Sequence, residues 1–220
     1  AELVNAFIRR SFEVLDDHPI NAERKKRGLY PANVLLCRDP GSELVKVKKL
    51  RGKWLALGYM PLEIGIAKSA RMHVYRFRYP KLKGIDVYDN LYLGLRKAIK
   101  YSIKMLKKGR KKYDYFYIHF KETDVPGHDN KPLDKVKMIE MIDKGFFSFL
   151  KRFIGDNKLV ITADHTTSSS KKRHTEDPVP LLIYEGSKEK VKKKRFTESE
   201  GLKGRKWVGK NVIEGTLFRR

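Results

Sequence analysis

Apolar residues follow two patterns along this chain, recurring at helical spacing in some stretches and gathering into short runs in others. Val4, Phe7, Ile8, Val14 and Leu15, with Ser11 between them, predict a first helix. His18-Pro-Ile-Asn21 ends that element, and Asn21 is placed to cap a short basic helix that stops at Gly28. Val34 to Arg38 then reads as a buried strand, Arg38-Asp-Pro-Gly41 as a turn, and Trp54 to Gly58 as a second strand. Pro61 suits a first helical turn, which predicts a helix over Pro61 to Ala70; His73 to Arg78 alternates as a strand does.

Farther on, Leu91, Leu95, Ala98, Ile99, Ser102, Met105 and Leu106 share one side of a predicted helix from Val87 to Lys108, with Gly109 as its stop. Tyr115 to Phe120 is an apolar strand. A helix from about Leu133 to Ile154 puts Ile139, Ile142, Phe146, Phe149 and Phe153 on one face. Lys158 to Ala163 and Val179 to Tyr184 complete the strands, separated by a polar loop, Thr166 to Arg173, that reads as flexible. Helices alternating with short apolar strands predict an α/β fold with a mainly parallel sheet covered on both faces. No repeat is visible, and 220 residues suit one such domain, burying roughly 70% of the surface its unfolded form exposes.

Composition adds a strong positive field. Fifty Lys and Arg against 26 Asp and Glu give a formal charge of +24, which attracts phosphorylated small molecules, nucleic acid or an acidic partner. The aromatics are used in core patterns and do not interleave with the basic runs at 107–112 and 187–195, so those runs read as solvated and nucleic acid is the disfavoured partner. Cys37, the single cysteine, sits in an apolar run and reads as a small buried thiol. No apolar run approaches the ~20 residues of a membrane span, which argues for a soluble, cytoplasmic chain. Ala1 opens directly inside a helical pattern without a cap, the look of a chain that has been cut.

The chemistry is concentrated in two stretches. Asp124 and His128 lie in Thr-Asp-Val-Pro-Gly-His; Asp164, His165 and His174 follow between Thr162 and Pro180. Mixed carboxylate and imidazole ligands with no cysteine suit a catalytic divalent ion such as manganese, zinc or cobalt better than a structural zinc. Both stretches follow predicted strands, where α/β sheets place their ligands. Pro126 and Gly127 allow a sharp reversal that brings Asp124 and His128 together.

Thr123-Asp-Val-Pro-Gly-His-Asp-Asn-Lys131, Thr162-Ala-Asp-His-Thr166 and His174-Thr-Glu-Asp-Pro-Val-Pro180 resemble the carboxyl-terminal motifs of archaeal-type cofactor-independent phosphoglycerate mutase, in the alkaline phosphatase superfamily. His18-Pro-Ile-Asn21 through Pro31-Ala-Asn33 resembles its connecting region. The resemblance implies a three-layer α/β/α sandwich lacking the amino-terminal strand and the cap domain. It implies two divalent ions, manganese first and zinc, cobalt or magnesium as alternatives. Asp124, His128 and His174 would hold one, and Asp164 and His165 would give two ligands to the other. The nucleophilic serine and an aspartate that complete the family's second site have no counterpart in this chain, so the implied piece is a carboxyl-terminal half, inactive alone. The implied whole enzyme interconverts 3- and 2-phosphoglycerate through a phosphoserine in glycolysis and gluconeogenesis, with Lys131 and Arg38 as phosphate contacts. Three departures, Arg38-Asp-Pro-Gly41 for an Arg-Gly-x-Gly turn, Ile64 for a lysine, and an altered turn between Tyr79 and Gly84, touch substrate recognition. They leave open another phosphate ester or a decayed enzyme, and a split or non-catalytic partner subunit whose basic surface docks an acidic amino-terminal chain is the alternative reading.

Overall fold

A computed structural model describes residues 1–37, 41–43, 47–82, 86–186 and 195–218. Two compact units divide the chain, Ala1–Lys46 and Val47–Arg220.

In the first unit, helix α1 spans Glu2–Asp16 and α2 spans Pro19–Lys26. The cap of α2 is His18, whose Nδ1 accepts the Ile20 N–H at 3.2 Å, and not Asn21. Asn21 is buried one turn inside the helix. Its amide donates to the carbonyls of Leu15 and Ala32 and its oxygen accepts from the Ala32 N–H, so it ties α1 to the chain that follows α2. The strand expected at Val34 to Arg38 does not form among the described residues, and Val34, Leu35, Leu36 and Cys37 are exposed. An apolar run becomes a strand only beside another extended edge, and the described part of this unit has none. Cys37 is accordingly an exposed thiol. Arg38 and its turn lie outside the described residues.

The second unit is built on Trp54–Gly58, strand β1, every residue of which is buried. Helix α3 (Pro61–Ser69) leads to β2 (His73–Arg76), and α4 (Val87–Gly109) leads to β3 (Tyr115–Tyr117). Both β2 and β3 pair with β1 in parallel, giving the order β2-β1-β3. Strand β1 is therefore the centre of this sheet, and its unbroken apolar run follows from burial on both faces. Helix α4 begins at the Asp86 carboxylate, which accepts the Tyr88 N–H. Ala98 and Met105 of α4 pack with Leu55, Leu57 and Phe77, while Leu91, Leu95, Ile99 and Leu106 pack with the helices that follow. Gly109 is the last residue of α4 but lacks the positive φ of the glycine stop expected; a Cβ there would lie 2.7 Å from the Phe116 ring, so the residue permits close packing.

After a short turn of helix, α5 (Val125–His128), the expected long helix is observed in three parts. They are α6 (Pro132–Ile142), a π-helical turn (Asp143–Phe147) and α7 (Ser148–Phe153). The wider turn absorbs an extra residue, so Met138, Phe146 and Leu150 form the buried face, whereas Ile139 is 52% exposed. Ile142, Phe149 and Phe153 of the expected face also pack against this core, so of its five residues Ile139 alone departs. Strand β4 (Leu159–Ile161) leads to a polar ribbon of β5 (Thr166–Ser168) and β6 (Arg173–Thr175), then to β7 (Leu182–Tyr184). Pairing is antiparallel both for β4 with β7 and for β5 with β6. Helices α8 (Glu198–Gly201) and α9 (Val212–Leu217) follow. No described helix is long and apolar enough to cross a membrane.

Candidate metal centre

Strand β3 ends at Tyr117, short of the Phe120 expected from the apolar run, and past it a tyrosine holds the chain in place. The Tyr59 hydroxyl accepts the Lys121 N–H at 3.0 Å and lies 3.1 Å from the His119 carbonyl and 3.0 Å from Glu122 Oε2. Glu122 is fully buried, and burial pushes its carboxyl above the ordinary value. This anchored segment delivers Asp124 to the start of α5, whose single turn brings His128 back beside it.

The third member arrives on the ribbon. Register pairs His174 of β6 with Thr167 of β5, and α5 lies against β5 so closely that a Cβ on Gly127 would be 2.8 Å from the Thr167 carbonyl oxygen. Asp124 Oδ1, His128 Nε2 and His174 Nε2 then form a triangle with edges of 3.5, 3.5 and 3.2 Å. Ligands about 2.1 Å from a tetrahedral ion sit roughly 3.4 Å from one another, so the triangle fits one face of such a coordination shell. Among the described residues this is the one group of three whose ligand atoms lie so close together. The His128 Nδ1 atom faces the Lys172 carbonyl at 3.2 Å, which can only accept. The proton therefore belongs on Nδ1, and Nε2 presents a lone pair to the centre of the triangle.

Charge at Asp124 is settled by its neighbours. Burial opposes ionisation, but hydrogen bonds from Thr167 and Lys121, the Lys121 charge and nearby His128 outweigh it and hold the carboxyl at about 2. Thr167 Oγ1 is 2.7 Å from Oδ1, and Lys121 Nζ is 3.0 Å from Oδ2.

Asp164 and His165, the other two residues expected at the site, adjoin the triangle. The His165 ring stacks on that of His174 with centroids 3.7 Å apart, and His165 Nε2 is 3.3 Å from Asp164 Oδ2. All five candidate ligands thus gather where the ends of β3 and β4 meet the ribbon. Lys131 is elsewhere engaged: its ammonium lies 3.7 Å from the centre of the Tyr88 ring.

Sequence reasoning missed several neighbours. His119 Nε2 is 3.8 Å from Asp164 Oδ2, and its Nδ1 is 3.9 Å from Glu63 Oε1 of α3. Glu63 Oε2 is buried with no hydrogen-bond partner among the described residues. The spacing of His119 and Lys121, two apart at the end of an apolar strand, was the available signal. Nothing marked Thr167 or Glu63.

Residues 92–209 match the metalloenzyme superfamily, and all five candidate ligands fall within them. The chain belongs to this superfamily. Among proteins similar to it, the 2,3-bisphosphoglycerate-independent phosphoglycerate mutase of Pyrococcus furiosus is 34% identical over 209 residues, covering 93% of this chain and 48% of that enzyme. The enzyme of the same name from Pyrococcus abyssi is 32% identical over 205 residues, with the same shares. A solved protein from Pyrococcus horikoshii superposes with a TM-score of 0.69 at 31% identity, over 92% of this chain and 52% of the other. The α/β fold expected from the sequence is shared with it. The chain spans about half the length of the curated relatives it matches.

Proposed function

We propose that this chain supplies the metal-binding part of a phosphoglycerate mutase-like phosphotransferase, with Asp124, His128 and His174 holding one divalent ion and Asp164 and His165 contributing to a second. The observation that carries this reading is the ligand triangle itself: a carboxylate and two imidazole nitrogens at the spacing of a coordination shell, with one imidazole oriented by a backbone carbonyl. The donor set suits manganese, with zinc, cobalt or magnesium as alternatives. Such an ion, when bound, stabilises negative charge on phosphate oxygens and lowers the pKa of a coordinated hydroxyl.

The chain's own residues hold and orient. Lys121 neutralises the outer oxygen of Asp124, and the Lys172 carbonyl fixes the His128 ring. Lys171, Lys172 and Arg173 at the end of the ribbon add positive charge beside the triangle, which favours an anionic substrate such as a phosphoglycerate. Turnover then requires a serine nucleophile and an aspartate from outside these residues; the chain alone binds metal and does not turn over. The glycolytic interconversion of 3- and 2-phosphoglycerate is the reaction of choice because the similar proteins carry that name. Manganese titration of the chain tests the site. Uptake should be abolished by His128→Ala and by His174→Ala, and uptake indifferent to both would end the assignment.

A second reading, a split subunit that docks a separate amino-terminal chain, is favoured by one observation. Helix α1 buries none of its residues, and Leu3 and Val14 are 83% and 67% exposed. Co-purification of a second chain from the native source would support it, and a lone monomer would count against it.

A further inference from the structure

One buried hydroxyl touches both sets of candidate ligands. Thr167 is 5% exposed, and its Oγ1 lies 2.7 Å from Asp124 Oδ1 and 3.1 Å from His165 Nδ1. Its backbone is held as well, since the Thr167 carbonyl accepts from Lys135 Nζ at 2.8 Å and the ribbon pairs it with His174. A hydroxyl has a single proton to donate. Asp124 is a carboxylate that already accepts from the Lys121 ammonium, so it offers acceptors alone and the threonine proton goes to Oδ1. The contact with His165 is then a hydrogen bond only if the imidazole donates, which requires the proton on Nδ1. With Nδ1 protonated, a neutral His165 carries its lone pair on Nε2, the nitrogen that faces Asp164 Oδ2 at 3.3 Å. Two acceptors at that distance repel each other unless a cation joins them.

We propose that the Thr167 hydroxyl is a positioning group shared by the two metal sites, donating to Asp124 and accepting from His165 Nδ1–H so that His165 Nε2 and Asp164 are presented together as ligands. The metal-ligand part rests on the function proposed above; the proton arrangement does not. Thr167 thereby couples the sites: a cation drawing on Asp124 and one drawing on His165 act on the same hydrogen-bonded chain. Outer groups of this kind change metal affinity by about 10–100-fold when removed.

Nitrogen-15 NMR of the imidazoles in the metal-free 220-residue chain, at about pH 8.5 where free imidazole is neutral, tests this directly. The wild type and Thr167→Ser should both carry the His165 proton on Nδ1. Thr167→Val keeps the shape but removes the acceptor, so the proton should move to Nε2, where it can donate to Asp164. A wild-type His165 protonated on Nε2, or a Thr167→Val variant with the proton unmoved, overturns the proposal. If Thr167→Val fails to fold, the wild-type and Thr167→Ser spectra still decide between the tautomers. Manganese titration of the same proteins should show Thr167→Val weakened about 10-fold or more and Thr167→Ser within a few-fold of wild type; equal affinity in Thr167→Val overturns the coupling. A chain that takes up no manganese would end the metal assignment while leaving the tautomer result to stand.

Discussion

Gly127→Ala sets two effects of opposite sign against each other. Gly127 lies in the helical turn α5 without a positive φ, so replacing it with alanine in open space would stabilise the turn by up to about 1 kcal/mol. The space is not open. A Cβ would meet Thr167 Cγ2 at 2.7 Å and the Thr167 carbonyl oxygen at 2.8 Å, and that carbonyl is held by Lys135 Nζ and by its place in the β5–β6 ribbon. A backbone oxygen so restrained cannot yield the few tenths of an ångström required without moving the ribbon. Overpacking of this kind costs about 1–3 kcal/mol, and the expected net result is a loss of about 1–2 kcal/mol. Because the displaced residue hydrogen-bonds Asp124 and stands opposite His174, manganese affinity should fall as well, about 10-fold or more. Urea unfolding with and without the substitution, followed by manganese titration, measures both. A variant more stable than wild type, with unchanged affinity, would refute the contact between α5 and β5 on which the ligand triangle depends.

Met138→Ala removes a fully buried side chain at the point where α6 meets α4, and should cost about 2–5 kcal/mol in urea unfolding. Tyr92 donates to Asp134 at 2.6 Å, and burial, followed by this hydrogen bond and the Asp134 charge, pushes its phenol up to about 12. A folded value above the unfolded one means that the contribution is complete below about pH 10 and is lost as pH rises through 12. Tyr92→Phe should therefore lose less stability than wild type between pH 10 and 12, and parallel losses would discount the hydrogen bond. Lys131→Met removes an exposed cation from the face of Tyr88; the expected cost is about 0.5–1 kcal/mol, read by thermal unfolding of the metal-free chain.

The elements most visible in the sequence are those whose formation depends on local pattern. The spacing of Leu91, Leu95, Ala98, Ile99, Met105 and Leu106 announced α4, and the structure buries all six. Val34 to Cys37 carries an equally apolar run, yet no strand forms there among the described residues, because a strand also needs an edge to pair with. The face of the long helix was legible as well, since Ile142, Phe146, Phe149 and Phe153 pack against the core and, of the five expected residues, Ile139 alone is exposed. The π turn at Asp143–Phe147 within that helix left no mark in the spacing of its apolar residues.

At the site, Asp124, His128, Asp164, His165 and His174 were legible because few chemical roles bring carboxylates and imidazoles together after successive strands. Their arrangement was not. Thr166 to Arg173 reads as a polar loop, and only pairing between β5 and β6 sets Thr167 opposite His174 and turns its hydroxyl toward Asp124 and His165. Glu63 and His119 meet from elements more than fifty residues apart, with Asp164 beyond them. Candidate ligands are a property of single residues and short motifs, so the sequence by itself determined which residues to look for at the site. Hydrogen-bond partners are chosen across distant segments with no periodicity to record the choice, so tertiary structure alone decided how those candidate ligands are held and which of their nitrogens face one another.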